Sequence, residues 1–151
     1  EIGYNPAIIL AGRRLNDGMS SHVVSQIIKA MIKKNITVHR AKVLIMGLTF
    51  KENCPDIRNT KIIDIFNELG DYGCSIDIYD PWVDKNKAEQ EYGISLVNEL
   101  NADTYDALIL AVAHDQFKQM GAEKIKKLCH GHHVIYDLKW VLDKADSDLR
   151  L

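Results

Sequence analysis

The residues best suited to chemistry sit in one long loop. Gly47-Leu-Thr-Phe-Lys-Glu-Asn-Cys-Pro-Asp-Ile-Arg-Asn-Thr-Lys61 carries Lys51 and Arg58 on either side of Asp56, with Pro55 stiffening the turn. A lysine point charge and an arginine fork both suit phosphate oxygens, and a helix beginning near Thr60 would add backbone donors. A second reading stands beside the first: Arg58 and Asp56 pair with each other and only hold the loop. The segment has a single leading glycine and no G-x-G-x-x-G pattern, so the usual dinucleotide fingerprint is absent.

Other reactive types are scattered. Cys54, Cys74 and Cys129 form an odd, widely spaced set without a CxxC, which indicates neither a disulfide framework nor structural zinc and fits a reducing cytoplasm. Cys129, His130, His132 and His133 cluster in sequence, but adjacent histidines seldom make a tetrahedral set and no carboxylate shell is spaced to support one, so no metal is expected. His114-Asp115 follows an apolar run, where the histidine could meet a ligand and the aspartate could cap the next helix. Trp82 and Trp140 fall on loops, where a flat ring can stack on a base or simply pack. Arg13 and Arg14 read as solvated or interdomain charges.

These residues need a scaffold, and the hydrophobic pattern supplies one. Asn5-Pro6 is a helix start, and Ile8, Ala11, Leu15, Met19, Val23, Ile27 and Met31 recur at intervals of three and four. The spacing predicts a helix of about thirty residues, well beyond the usual three or four turns, with a kink expected near Gly18, Ser20 and Ser21. Such a stripe suits a domain connection or a dimer interface. The division expected is a long helix over residues 1–36 followed by an α/β domain over 37–151.

Strands are predicted at Lys42–Met46, Ser75–Tyr79, Ala107–Val112 and Val134–Tyr136, with a possible short one at Ile94–Val97. Helices are predicted at Thr60–Leu69, where Thr60 can cap, at Lys85–Tyr92 and at Phe117–Leu128, with an irregular tail at the end. Strands alternating with helices imply an α/β fold: a Rossmann-like parallel sheet in three layers, preceded by the long helix. Ligands should then bind beyond the carboxyl ends of the strands, where the loop from Gly47 and those after Asp80, Ala113 and Asp137 gather.

A net charge of -2 with 26% charged residues gives no reason to expect nucleic acid or an anionic membrane as partner. No run approaches the roughly 18 apolar residues of a membrane span, and no signal-peptide layout opens the chain. Glu1–Tyr4 lacks an initiating methionine and leads straight into a helix, so a piece of a longer polypeptide is expected.

Val43-Leu-Ile-Met-Gly-Leu-Thr-Phe-Lys51, Asp56-Ile-Arg58 and Ile78-Tyr-Asp-Pro81 resemble the UDP-glucose/GDP-mannose dehydrogenase family, whose C-terminal domain has a G-x-x-F-K-x-x-x-x-D-x-R loop followed by Y-D-P. The likeness extends to Asn5-Pro6, Arg14-Leu-Asn-Asp17, Ala113-His114 and Tyr136-Asp-Leu-Lys139, covering essentially the whole chain. The resemblance implies a four-electron oxidation of a sugar C6 alcohol to a carboxylate with two NAD, through thiol-linked intermediates on a cysteine. That cysteine is expected upstream of this chain, which leaves no catalytic residue here and makes Cys54 an ordinary loop residue.

The family likeness also implies partners and roles. An N-terminal domain would hold NAD, the long helix would join the domains and form a homodimer, and this domain would grip the UDP part of the substrate. Phe50 and Lys51 fall on the substrate-contacting pair, Arg58 on the arginine that reaches NAD across the interface, and Lys139 on a substrate-facing position usually held by arginine. The departure to Asp-Leu-Lys139 looks more like the branch acting on UDP-N-acetylhexosamines in O-antigen and capsular polysaccharide pathways than like UDP-glucose enzymes.

Overall fold

The computed structural model describes residues 6–151, with side chains from Gly18 onward. The expected Asn5 cap, the stripe positions Ile8, Ala11 and Leu15, and the Arg13 and Arg14–Asp17 readings lie outside the described residues and side chains. Helix α1 (Pro6–Lys33) runs without interruption, so the kink expected at Gly18–Ser21 is absent. Its second half buries Val23, Val24, Ile27, Ile28 and Met31. It ends where Asn35 takes a φ of 60°, a left-handed turn that asparagine tolerates. There the Ile36 and Asn35 N–H groups return to the Met31 and Ile32 carbonyls at 2.9 and 3.0 Å, closing the helix on itself.

The rest alternates: β1 (Lys42–Met46), α2 (Ile62–Asp71), β2 (Ser75–Tyr79), α3 (Lys85–Tyr92), β3 (Tyr105–Leu110), α4 (Asp115–Lys127), β4 (Cys129–Asp137), a short 3-10 turn at Lys144–Asp146, and β5 (Leu149–Arg150). The strands form a single parallel sheet in the order β2-β1-β3-β4-β5. Side-chain alternation sorts the sheet into two faces. Val43, Ile45, Ile109, Val134 and Tyr136 pack with α1 and α2, while Leu44, Met46, Leu108, Leu110 and Ile135 pack with Phe117 and Ile125 of α4. The result is the expected three-layered α/β architecture.

Several boundaries differ from the sequence reading. Residues Ile94–Val97 are irregular: Ile94 and Leu96 plug into the core, and a bond from the Val97 N–H to the Ile78 carbonyl ties the segment to β2. Strand β4 begins five residues early, at Cys129, because its register with β3 shifts between Tyr105 and Ala107, so polar His130 and His132 join the ladder without a clear apolar period. The tail is not wholly irregular, since Leu149 and Arg150 pair with Tyr136 and Asp137.

Candidate functional site

Strand order places the switch point between β1 and β3, the position where loops diverge and open parallel sheets bind ligands. The two loops that leave there touch. Gly47 has a φ of 106°, and a Cβ on it would lie 2.6 Å from Val112 Cβ, so only glycine lets the β1 exit pass the β3 exit.

Two buried aspartates then set the loops. Asp80 follows β2 and accepts the Leu48 and Thr49 N–H groups on Oδ2 at 2.7 and 3.2 Å and the Trp82 N–H on Oδ1 at 2.8 Å. Asp137 ends β4 and accepts N–H groups from Lys139 and Val141 on Oδ1 and from Leu142 on Oδ2, at 3.2, 3.1 and 2.8 Å. Each carboxylate replaces water for several donors at once, which makes a loop conformation out of otherwise unpaired N–H groups. Sequence reasoning missed both roles. The available signal was the repeated Ile-Tyr-Asp at Ile78–Asp80 and Ile135–Asp137, one copy ending β2 and the other ending β4.

Between these loops lies a cavity of about 250 Å3 lined by Thr49, Phe50, Thr60, Ile62, Leu138 and Lys139, among others, and by Met19, Ser20 and Val23 of α1. Phe50 is 65% exposed and stands at its mouth. The start of α2 opens into it; Thr60 Oγ1 accepts the Ile62 N–H at 3.3 Å, but the N-cap position falls on Lys61, which makes no side-chain cap bond, so the cap expected of Thr60 is displaced by one residue. Lys139 is exposed and its ammonium makes no ion pair among the described residues. Phe50 and Lys139 are therefore brought to one cavity.

The other two expected residues stand outside that lining. Lys51 is on the exposed turn next to Phe50, and Arg58 is on the returning limb of the loop. Arg58 grips Asp56 with both Nε and Nη2, at 3.0 and 2.9 Å, and its own N–H bonds the same carboxylate at 2.9 Å. These bonds hold the Asp56 carboxyl down at about 2 and raise the guanidinium still further. The pairing reading of this motif is present, and it leaves the outer edge of the guanidinium facing solvent, with 78% of the side chain exposed.

Residues set aside by the sequence reading have local uses. Burial pushes the Cys129 thiol up to about 12 and raises that of Cys74, which disfavours thiolate chemistry at both. His130 pairs with Asp103, His132 contacts the Lys34 carbonyl and His133 contacts the His130 carbonyl. Among the described residues no three His, Cys, Asp or Glu side chains come together to hold a metal. His114 faces inward and is fully buried, and Asp115 does not cap α4; Asn53 Oδ1 does so instead, accepting the Asp115 N–H at 3.0 Å. Trp82 is tied to Gln116 at 3.0 Å, while Trp140 lies 64% exposed beneath Arg150, whose guanidinium sits 4.4 Å from its ring centre.

Residues 44–144, which hold both aspartates and every expected site residue, match the family model described as the UDP binding domain of the UDP-glucose/GDP-mannose dehydrogenase family. The chain belongs to that family. Curated relatives of this dehydrogenase domain include UDP-N-acetyl-D-glucosamine 6-dehydrogenases from Pseudomonas aeruginosa and Salmonella typhi, each 60% identical over 99% of this chain. The chain spans 36% and 35% of the length of those two proteins. An NDP-N-acetyl-D-galactosaminuronic acid dehydrogenase from Methanosarcina mazei shares the fold with a TM-score of 0.82 at 23% identity, over 95% of this chain and 30% of that one. Among the described residues no helix is long and apolar enough to cross a membrane.

Proposed function

We propose that this chain is the substrate-gripping C-terminal part of an NAD-dependent dehydrogenase that oxidises C6 of a UDP-N-acetylhexosamine to the uronic acid with two NAD, in O-antigen or capsular polysaccharide synthesis. The observation that carries the reading is the cavity at the carboxyl ends of the strands, where exposed Phe50, cationic Lys139 and the N-terminus of α2 meet. The 60% identity to proteins named UDP-N-acetyl-D-glucosamine 6-dehydrogenase supports the choice of sugar.

In this reading Phe50 offers an apolar face to the nucleotide sugar. Lys139, Lys51 and the positive end of α2 balance the diphosphate. Arg58 fits a role toward NAD, because Asp56 occupies the inner edge of its guanidinium and leaves the outer edge free for a second anion. Bound NAD supplies the hydride acceptor. The nucleophilic cysteine belongs to the longer polypeptide, in keeping with the raised thiols of Cys74 and Cys129. We also infer a cytoplasmic protein whose residues 1–36 join the 37–151 domain to an NAD-binding domain and pair two copies, with Ile32 exposed on the helix for such a contact.

The test is amide NMR of the chain titrated with UDP alone. Signals of Phe50, Lys139 and the first turn of α2 shift, and Lys139→Ala weakens binding about tenfold, the scale of one charge-assisted hydrogen bond. Shifts confined to other parts of the sheet, or none at millimolar UDP, overturn the reading.

A further inference from the structure

Beneath the exposed Phe50–Lys51 turn lies a polar cluster that the binding roles above do not use. His114, with no exposed surface, is its centre. The Asn53 N–H donates to its Nδ1 at 3.0 Å, so Nδ1 carries no proton and the ring is the neutral form with hydrogen on Nε2. That Nε2–H points at Asp80 Oδ2, 2.9 Å away, with Thr49 Oγ1 at 3.2 Å. The Phe117 ring meets the imidazole edge-on at 5.3 Å between centres and closes the cluster.

Both ends of the turn are thereby pinned. At one end Asp80 takes the Leu48 and Thr49 N–H groups, and Thr49 Oγ1 donates onward to the Lys51 carbonyl at 2.9 Å. At the other, Asn53 sits at a left-handed φ of 54°, giving its N–H to His114 and its Oδ1 to the Asp115 N–H. Phe50 and Lys51 lie between the pins with their side chains exposed.

We propose that His114 is a positioning residue: as the neutral Nε2–H tautomer it clasps the Thr49–Asn53 turn to β2 and α4 and so presents Phe50 and Lys51 to the nucleotide sugar. The inference rests on the UDP-sugar reading for its ligand, but the clasp itself has a ligand-free signature.

Two substitutions separate its halves. The amide oxygen of an asparagine reaches the place of Nδ1, whereas a glutamine reaches the place of Nε2 and leaves the Asn53 N–H without an acceptor. In His114→Gln, hydrogen exchange at Asn53 quickens at least about tenfold while exchange in β3 is unchanged, and UDP-N-acetylglucosamine binds about tenfold more weakly, the scale of one lost buried hydrogen bond. His114→Asn, which keeps an acceptor for the Asn53 N–H and loses only the Nε2–H bond to Asp80, restores the protection at Asn53 and most of the affinity. A merely structural histidine would instead speed exchange through the sheet in both variants. The proposal fails if His114→Gln frees the Asn53 amide without changing affinity, if that amide stays protected, or if imidazole nitrogen shifts show a protonated Nδ1. A wild-type chain that binds no UDP-sugar would sink the ligand reading, and with it the presenting role, while the exchange and nitrogen spectra would still judge the clasp.

Discussion

Arg58 lies along the Asp56 carboxylate at the surface, and the consequence is a titration rather than a large stability gain. The carboxyl is held at about 2 against its usual 3.8, so the contribution is present above 3.8 and fades as pH falls toward 2. A carbon-detected titration of Asp56 has its midpoint near 2, and Arg58→Ala returns it toward 3.8; an unchanged midpoint in the variant would remove the arginine as cause. Asp137 is the opposite case, fully buried with three N–H groups on it. Asp137→Ala strands those donors and lowers unfolding free energy by about 3 kcal/mol, read by urea denaturation. The motif singled out Lys139, which lines the cavity, but not the aspartate two positions earlier that aims the loop, because a single carboxylate's role depends on which N–H groups the tertiary fold brings to it.

Among the elements, the β1–α2 crossover is the most constrained, and Gly47 shows why. Gly47→Ala adds a Cβ against Val112 at a φ of 106°, and should cost about 3 kcal/mol, with Val112→Ala recovering part of the loss. Thermal melts of the single and double variants check this, and equal losses in both would place the strain elsewhere. Strands β1 and β2 were readable to the residue because short apolar runs met a glycine or Asp-Pro at their ends. The start of α4 was not, since its cap comes from Asn53, 62 positions away. Strand β5 is two residues long and has no period to detect, yet it brings Leu151 to the cavity wall.

Among the described residues the core has two parts, one on each face of the sheet, and the larger lies on the α1 and α2 side. Val23, Ile27 and Met31 of α1 share it with α2 and the sheet, so the described half of the helix folds with the domain. Ile27→Ala lowers stability by about 3 kcal/mol while unfolding stays a single transition; a separate early melt of the helix would contradict a shared core. Fold class was legible at this scale because alternation of buried strands and amphipathic helices is a property of the chain in order. The candidate site could be named only through its motif, since composition cannot say that Phe50 and Lys139 converge on one cavity. The most direct test of the account is calorimetric titration of the chain with UDP-N-acetylglucosamine, UDP-N-acetylgalactosamine and UDP-glucose, repeated on Lys51→Ala and Lys139→Ala. The account predicts that an N-acetylhexosamine binds more tightly than UDP-glucose and that both substitutions weaken it. Binding indifferent to both lysines, or a clear preference for UDP-glucose, would contradict it.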